Sequence, residues 1–108
     1  MAYTTINKSS DYFNTKLYTG NGSSQSITGV GFQPDFIWNK ARNQAYSHRV
    51  FDAVQGVNKS LLTDGNYATQ NGEGVSSFDS DGFSFSSSFG GDTNISGATY
   101  VAWNWKAT

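Results

Sequence analysis

The C-terminal segment 97–108 reads GATYVAWNWKAT, and it constrains this chain more than any other stretch. Val101, Trp103 and Trp105 alternate with Tyr100, Ala102 and Asn104, the two-residue period of a strand with one buried face. Two indoles on one face of a terminal strand mean that the fold closes only when this strand is in place, as in a β-sandwich or barrel. The tryptophan face is expected to be the inner one. Trp38 is expected to be buried with Trp103, since both fall at strand positions.

The rest of the chain agrees with an all-β reading. Gly, Ser, Asn and Thr crowd the sequence, and turn residues recur about every eight to twelve positions, the spacing of a sandwich or barrel. A first strand is expected over Phe13–Thr19, ended by Gly20-Asn21-Gly22, and a second over 25–28, ended by Gly29-Val30-Gly31. Pro34 fixes its own φ and extends Gln33, so 36–40 reads as a strand with Phe36 and Trp38 on one face and Ile37 and Asn39 on the other. Segment 41–47 reads as a loop and 48–51 as a short strand. The apolar spacing of Val54, Val57, Leu61 and Leu62 is interrupted by Gly56, which leaves one helical turn or an irregular segment. Val75 to Phe78 and Phe83 to Ser86 flank Asp79-Ser80-Asp81-Gly82, the clearest hairpin signal, and Phe83 and Phe85 should cover the core. Segments 64–74 and 87–97 read as loops. NGSSQSITG (21–29) and GGDTNISG (90–97) echo one another as shared turn grammar.

The expectation is therefore a single-domain antiparallel β-sandwich, all-β and of jelly-roll or lectin-like type, with long Gly/Ser/Asn loops. Residues 12–108 form the domain and 1–11 an extended polar arm. At 108 residues the chain fits one core. Leucine occurs only at 17, 61 and 62, so 3 Trp, 6 Tyr and 8 Phe must supply most of that core.

Composition excludes several classes of function. A net charge of −1 without a basic run argues against nucleic acid, whose phosphates call for clustered Lys and Arg. No segment approaches the roughly 20 apolar residues of a membrane span, and no signal-peptide core follows Met1. The absence of cysteine removes disulfides and thiolate metal sites.

Chemistry is thinly represented. His48 and Glu73 are each the only residue of their type, and the neighbouring Arg49 makes His48 a poor general base. No nucleophile elbow is present. Aspartates ahead of Gly82 suggest a calcium loop, but Ser88 stands where a bidentate glutamate is required. Asp79 and Asp81 are read instead as turn-stabilising groups bonding nearby backbone N–H, and the pair Asp92 and Asn94 as weaker still. The glycines at 20, 22, 29 and 31 precede a strand rather than a helix, which excludes a phosphate cradle. No catalytic residue, metal or cofactor is expected. For sugar binding, the loop rings Tyr46 and Tyr67 are the candidates, with loops 41–47 and 64–74 as the surface.

Six motifs follow one another in order: Y-T-G-N-G at 18–22, G-F-x-P-D at 31–35, W-x-K-x-R at 38–42, S-H-R-x-F-D at 47–52, F-x-S-D-G-F at 78–83 and Y-V-A-W-x-W-K-A at 100–107. This order resembles a module recurrent in tailed-bacteriophage proteins, especially of marine and cyanobacterial phages, found in tail-fibre-like and other virion structural proteins. The similarity covers nearly all of 17–107. Asn39 departs from it, standing where that module usually has an apolar residue. The resemblance implies a structural or adhesive virion protein and carries no catalytic residues. Arg49 and Asp52 read as a structural pair fixing a loop.

The expected function is accordingly a non-enzymatic structural protein of a tailed-phage virion, a surface-displayed capsid decoration or tail accessory protein. The alternative is a glycan-binding adhesin module of a tail fibre. Expected partners are other capsid or tail proteins, a host-surface glycan, and further copies of the chain in a homo-oligomer on the particle. A chain of this length opening on Met1, with no stalk, favours a decoration protein. Tyr3 and Ile6 would lie in a docking arm that adds a strand to an exposed edge.

Overall fold

A computed structural model describes residues 11–57, 59–63, 74–85 and 93–107, together with the backbone of 70–71. Among the described residues nine strands run in chain order: β1 (Phe13–Thr19), β2 (Gln25–Ile27), β3 (Phe36–Ala41), β4 (Arg49–Asp52), β5 (Lys59–Leu62), β6 (Gln70–Asn71), β7 (Val75–Asp79), β8 (Gly82–Phe85) and β9 (Thr99–Trp105). They form two antiparallel sheets, one of six strands in the order β1-β9-β3-β4-β5-β6 and one of three in the order β2-β8-β7. The domain is an all-β sandwich, and no helix among the described residues is long and apolar enough to cross a membrane.

The C-terminal strand is central. β9 lies between β1, in full register from Phe13↔Trp105 to Thr19↔Thr99, and β3, from Phe36↔Trp105 to Ala41↔Tyr100. Removing β9 would leave both neighbours with an unpaired edge. The strand around 36 begins as expected, because Pro34 extends the chain and the Asp35 backbone N–H donates to the Trp105 carbonyl at 2.9 Å. The segment after β4 is a single turn, closed by the Gly56 N–H on the Asp52 carbonyl (3.1 Å), and then runs into β5.

The core fills the gap between the sheets. The small sheet contributes Ile27, Val75, Phe83 and Phe85, and the large sheet contributes Ile37, Phe51 and Ala102, with Tyr18 and Phe78 packed against them. Phe83 is fully buried and Phe85 nearly so, as the hairpin reading required. A second cluster joins Ala41, Ala98 and Tyr100 beneath Tyr18 and Tyr46. Tyr18 and Tyr100 stack with centroids 5.1 Å apart.

This arrangement overturns one expectation. The ladder puts Tyr100, Ala102 and Asn104 on the inner face of β9, and hence Val101, Trp103 and Trp105 on the outer one. Trp38 and Trp105 are each 37% exposed and Trp103 is half-buried. The physical reason is space. Sheets pack about 10 Å apart, and Phe51, Phe83, Phe85, Tyr18 and Tyr100 already fill that thickness, so the facing positions take Ala102 and Ala41. Indoles there would overpack the interior.

The inner face also holds polar groups, whose donors reach acceptors distant in sequence. Asn39, 2% exposed, donates to the Tyr18 hydroxyl at 2.5 Å, and that hydroxyl donates to the Thr93 carbonyl at 2.7 Å. The amide of fully buried Asn104 donates to the carbonyls of Asn14 and Ala102 at 3.1 and 3.2 Å.

Candidate aromatic binding face

Side chains alternate across each strand, so the register gives the composition of the outer face. One row across the large sheet is Phe13, Trp105, Phe36 and Asp52 on β1, β9, β3 and β4. The next is Thr15, Trp103, Trp38, Val50 and Leu61, ending on β5. A third holds Leu17, Val101 and Lys40, with His48 just ahead of β4. Cross-strand aromatic pairs run along the rows. Trp105 meets Phe13 at 5.0 Å and Phe36 at 5.1 Å between ring centroids. Trp38 meets Trp103 edge-to-face at 6.3 Å, with planes 78° apart, and His48 lies 6.4 Å from Trp38.

Trp38, His48, Trp103 and Trp105 line an open groove of about 300 Å³. That volume sits at the lower end of the range for small-molecule sites. Exposed Leu17 and Leu61 continue the apolar surface on either side. Among the described residues, neither the indole N–H groups of these tryptophans nor the imidazole nitrogens of His48 have a hydrogen-bond partner. The surface these side chains turn to the groove is almost wholly apolar, so the groove offers stacking faces.

The residues singled out from sequence fall elsewhere. Tyr46 is half-buried and packs on the Ala41, Ala98 and Tyr100 cluster, so its ring serves the core rather than an open loop. Tyr67, Tyr3, Ile6 and Asp92 lie outside the described residues. Arg49 and Asp52 sit three apart in β4 and therefore on opposite faces. Arg49 Nη1 donates to Ser60 Oγ of β5 at 2.9 Å, while Asp52 Oδ1 accepts the Gln55 N–H at 2.6 Å and shapes the turn after β4. Each fixes its own neighbour.

The hairpin aspartates also have structural partners. Asp81 accepts the N–H of Gly29 (3.0 Å) and of Gly31 (2.7 Å), clasping the loop after β2 to the β7–β8 turn. These two backbone donors, helped by the charge of Lys16, hold its carboxyl below the ordinary value of 3.8. Asp79 accepts from the hydroxyls of Ser77 and Ser84. No group of three or more His, Cys, Asp or Glu residues able to hold a metal occurs among the described residues.

From sequence alone Trp38 and Trp103 fall at strand positions and are expected in the core. The signal that could have recovered them is the small residue opposite them in the alternation. Ala102 and Ala41 mark the side of β9 and β3 that meets a crowded partner sheet.

Fold and site together define a small antiparallel β-sandwich domain with an aromatic groove on the outer face of its larger sheet. Over residues 8–108 the chain matches the family described as Domain of unknown function (DUF7483), and it belongs to that family. Comparison with curated proteins and with solved structures found no match to either.

Proposed function

We propose that this chain is a non-enzymatic structural protein of a tailed-phage virion, displayed on the capsid or tail, whose contact surface is the outer aromatic face of the six-stranded sheet. The observation that carries the reading is the groove formed by Trp38, His48, Trp103 and Trp105. A contiguous apolar patch held outward by a folded domain marks an interaction site. Trp and other aromatics are the side chains that concentrate binding energy at such sites. The groove lining holds no carboxylate and no serine or cysteine nucleophile, which favours binding over catalysis. The phage setting is supported by the six ordered motifs between Tyr18 and Ala107.

The face has two uses in such a particle. Turned inward, it would seat the domain on a capsid or tail lattice. Turned outward, it would serve a glycan-binding adhesin, whose sugar rings would stack on the indole faces. A density map of the intact particle that encodes this chain tests the reading. The expected result is a sandwich of this size on the particle surface with the Trp38–Trp103 face in contact with a neighbour or directed to solvent. Absence of the chain from purified particles would overturn the proposal.

A further inference from the structure

Given the reading of the outer face as the contact surface, the order of its rows decides what fits it. We infer that the face is occupied by a second copy of the chain, the two large sheets packing face to face. The two-fold axis runs across the strands, along the row Thr15, Trp103, Trp38, Val50 and Leu61. The surface turned to the groove is almost wholly apolar, so its partner is an apolar surface rather than a polar ligand. Leu17, Trp38, Leu61 and Trp105 each leave more than a third of their area in solvent. Two sheets packed about 10 Å apart are the ordinary way to dry such a surface. Polar residues stand at its margins, Thr19 and Thr99 at one end and Asp52 and Lys59 toward the β5 corner. An apolar centre with a polar rim is the plan of a protein interface.

The face is its own complement. A two-fold axis along the middle row lays each of that row's residues on its counterpart. It exchanges the first row with the third, because these stand two residues to either side on each strand. Trp105 then meets the partner's Val101, Phe13 meets the partner's Leu17, and Asp52 meets the partner's His48. Trp105 protrudes, whereas Val101 is 9% exposed and lies below its neighbours. The Asp52 carboxylate faces an imidazole able to donate to it, since only its Oδ1 is engaged by the Gln55 N–H. Phe36 faces the partner's Lys40, a cation over a ring. Asp52 and His48 of one chain are four residues apart along an extended backbone, about 13 Å, so pairing them takes two chains. The alternative two-fold, along the strands between β9 and β3, would put Phe13 on Asp52 and Val101 on Lys40. That buries charged groups against apolar ones, at a desolvation cost.

The available area matches what a specific pair needs. Five strands, β1-β9-β3-β4-β5, spaced about 4.8 Å apart, and seven residues in β1 and β9 at about 3.3 Å each, give a footprint of about 500 Å² per copy. Two copies bury about 1,000 Å², near the lower bound for a specific interface. A pair of that size forms when copies are held close together, as on the surface of one particle. The rings are also held in place. β9 and β3 are paired on both sides along most of their length, so Trp103, Trp105 and Trp38 project from the middle of the sheet and lose little conformational freedom on association. A different protein would have to reproduce this order of large, small and charged groups, which a second copy already carries.

Sedimentation velocity of the full chain over a range of concentrations reads the association. A concentration-dependent dimer is expected. Trp38→Ala and Trp103→Ala should each weaken it at least tenfold. Val54→Ala, which trims a side chain 99% exposed but in the turn after β4, should leave it within twofold. The axis is read separately with single cysteines, since the chain has none of its own, and these variants keep every aromatic ring. Thr15→Cys, on the axis, should be joined to its counterpart by a short bis-maleimide linker. Thr19→Cys, exposed on the same face of β1 but four residues off the axis, should not. If either alanine variant fails to fold by circular dichroism, the two cysteine variants decide alone. A chain monomeric at every concentration, a dimer indifferent to folded Trp38 and Trp103 variants, or equal linking at 15 and 19 would each overturn the pairing. These outcomes separate from those of the virion reading. A monomer whose aromatic face is buried on a different capsid or tail protein removes only the pairing. A dimer through this face, formed by a chain missing from particles, removes only the virion setting.

Discussion

Trp38 of β3 and Trp103 of β9 are register partners and meet edge-to-face, with ring centroids 6.3 Å apart, on the side of the large sheet that faces away from the small one. Cross-strand aromatic pairs stabilise a sheet locally, yet these rings stay partly in contact with solvent, Trp38 at 37% exposure. The pair therefore serves the surface of the molecule more than its interior, and its removal should separate binding from folding.

Alanine at Trp38 or at Trp103 is expected to cost about 1–2 kcal/mol of stability, because only part of each ring leaves a packed environment. The double variant should show a coupling of about 0.5–1.5 kcal/mol, the worth of an aromatic pair beyond its buried area. Phe83→Ala or Phe51→Ala, which empty fully buried sites between the sheets, should cost about 3–5 kcal/mol. Urea unfolding followed by far-ultraviolet circular dichroism checks the contrast without relying on the rings that are removed. Equal losses at the two kinds of position would mean that the indoles belong to the core.

Asp81 gives the fold an acid-sensitive clasp. Its carboxyl is held below 3.8 by the Gly29 and Gly31 N–H groups, with a smaller contribution from Lys16. A depressed carboxylate contributes stability that is fully present above the unfolded pKa and is lost as pH falls through the folded one. Asp81→Asn keeps the shape but lacks the charge, so it should be less stable than wild type at pH 6. The difference should shrink steadily below about pH 4, where the wild-type group takes up its proton. Urea midpoints for the two proteins measured between pH 2.5 and 6 decide the matter. A gap that does not change with pH would assign the clasp to geometry alone.

The polar relay from Asn39 through Tyr18 to Thr93 predicts strong non-additivity. Asn39→Leu removes the donor to a half-buried hydroxyl and should cost about 1–3 kcal/mol. Tyr18→Phe removes the shared hydroxyl and leaves the Asn39 amide short of its acceptor, at a similar cost. The double replacement should be less harmful than the sum of the singles, because neither partner then remains to be satisfied. Chemical denaturation of the four proteins gives the cycle, and strict additivity would show that the two groups act independently.

The strands were legible in the sequence because each is bounded by turn chemistry. β1 lies just ahead of the Gly20-Asn21-Gly22 turn that was expected to end it, and β7 and β8 flank the Asp79–Gly82 hairpin as expected. The side of β9 that faces inward was not legible. Both of its faces carry large apolar groups, Tyr100 on one and Val101, Trp103 and Trp105 on the other, and ring size alone favoured the indoles. What decides the matter is the volume contributed by the opposing sheet, a contact between segments distant in sequence. Polar inner-face residues such as Asn39, Asn104 and Arg49 added to the ambiguity, since their hydrogen-bond partners come from other strands. The groove was hidden for the same reason. Its rings stand at strand positions where burial is the default, and only the ladder shows that they face outward. The echo between 21–29 and 90–97 does have a spatial counterpart. Asn94 bonds Asn21, Ser23 and Gln25 across the two loops.

Those two loops also set different demands on their glycines. A Cβ on Gly20 would run into the backbone of Asn94 and Ile95, where the Gly20 N–H donates to the Ala98 carbonyl at 2.8 Å. Backbone on both sides cannot yield as a side-chain tip would, so Gly20→Ala must separate the loops. The expected cost is about 1–3 kcal/mol. Gly97, in the facing loop, has open space around its Cβ position but sits at φ 85°, a region that an L-residue occupies at a cost of roughly 1–2 kcal/mol. Adding a D-alanine at 97 by chemical synthesis would relieve that conformational cost, whereas L-alanine at 20 should be harmful where the loops meet. Thermal unfolding reads the difference, since 1 kcal/mol shifts the midpoint of a domain of this size by about 4–8 °C. A Gly20→Ala protein that melts with wild type would show that the two loops are not in the close contact that brings Asn94 to Asn21.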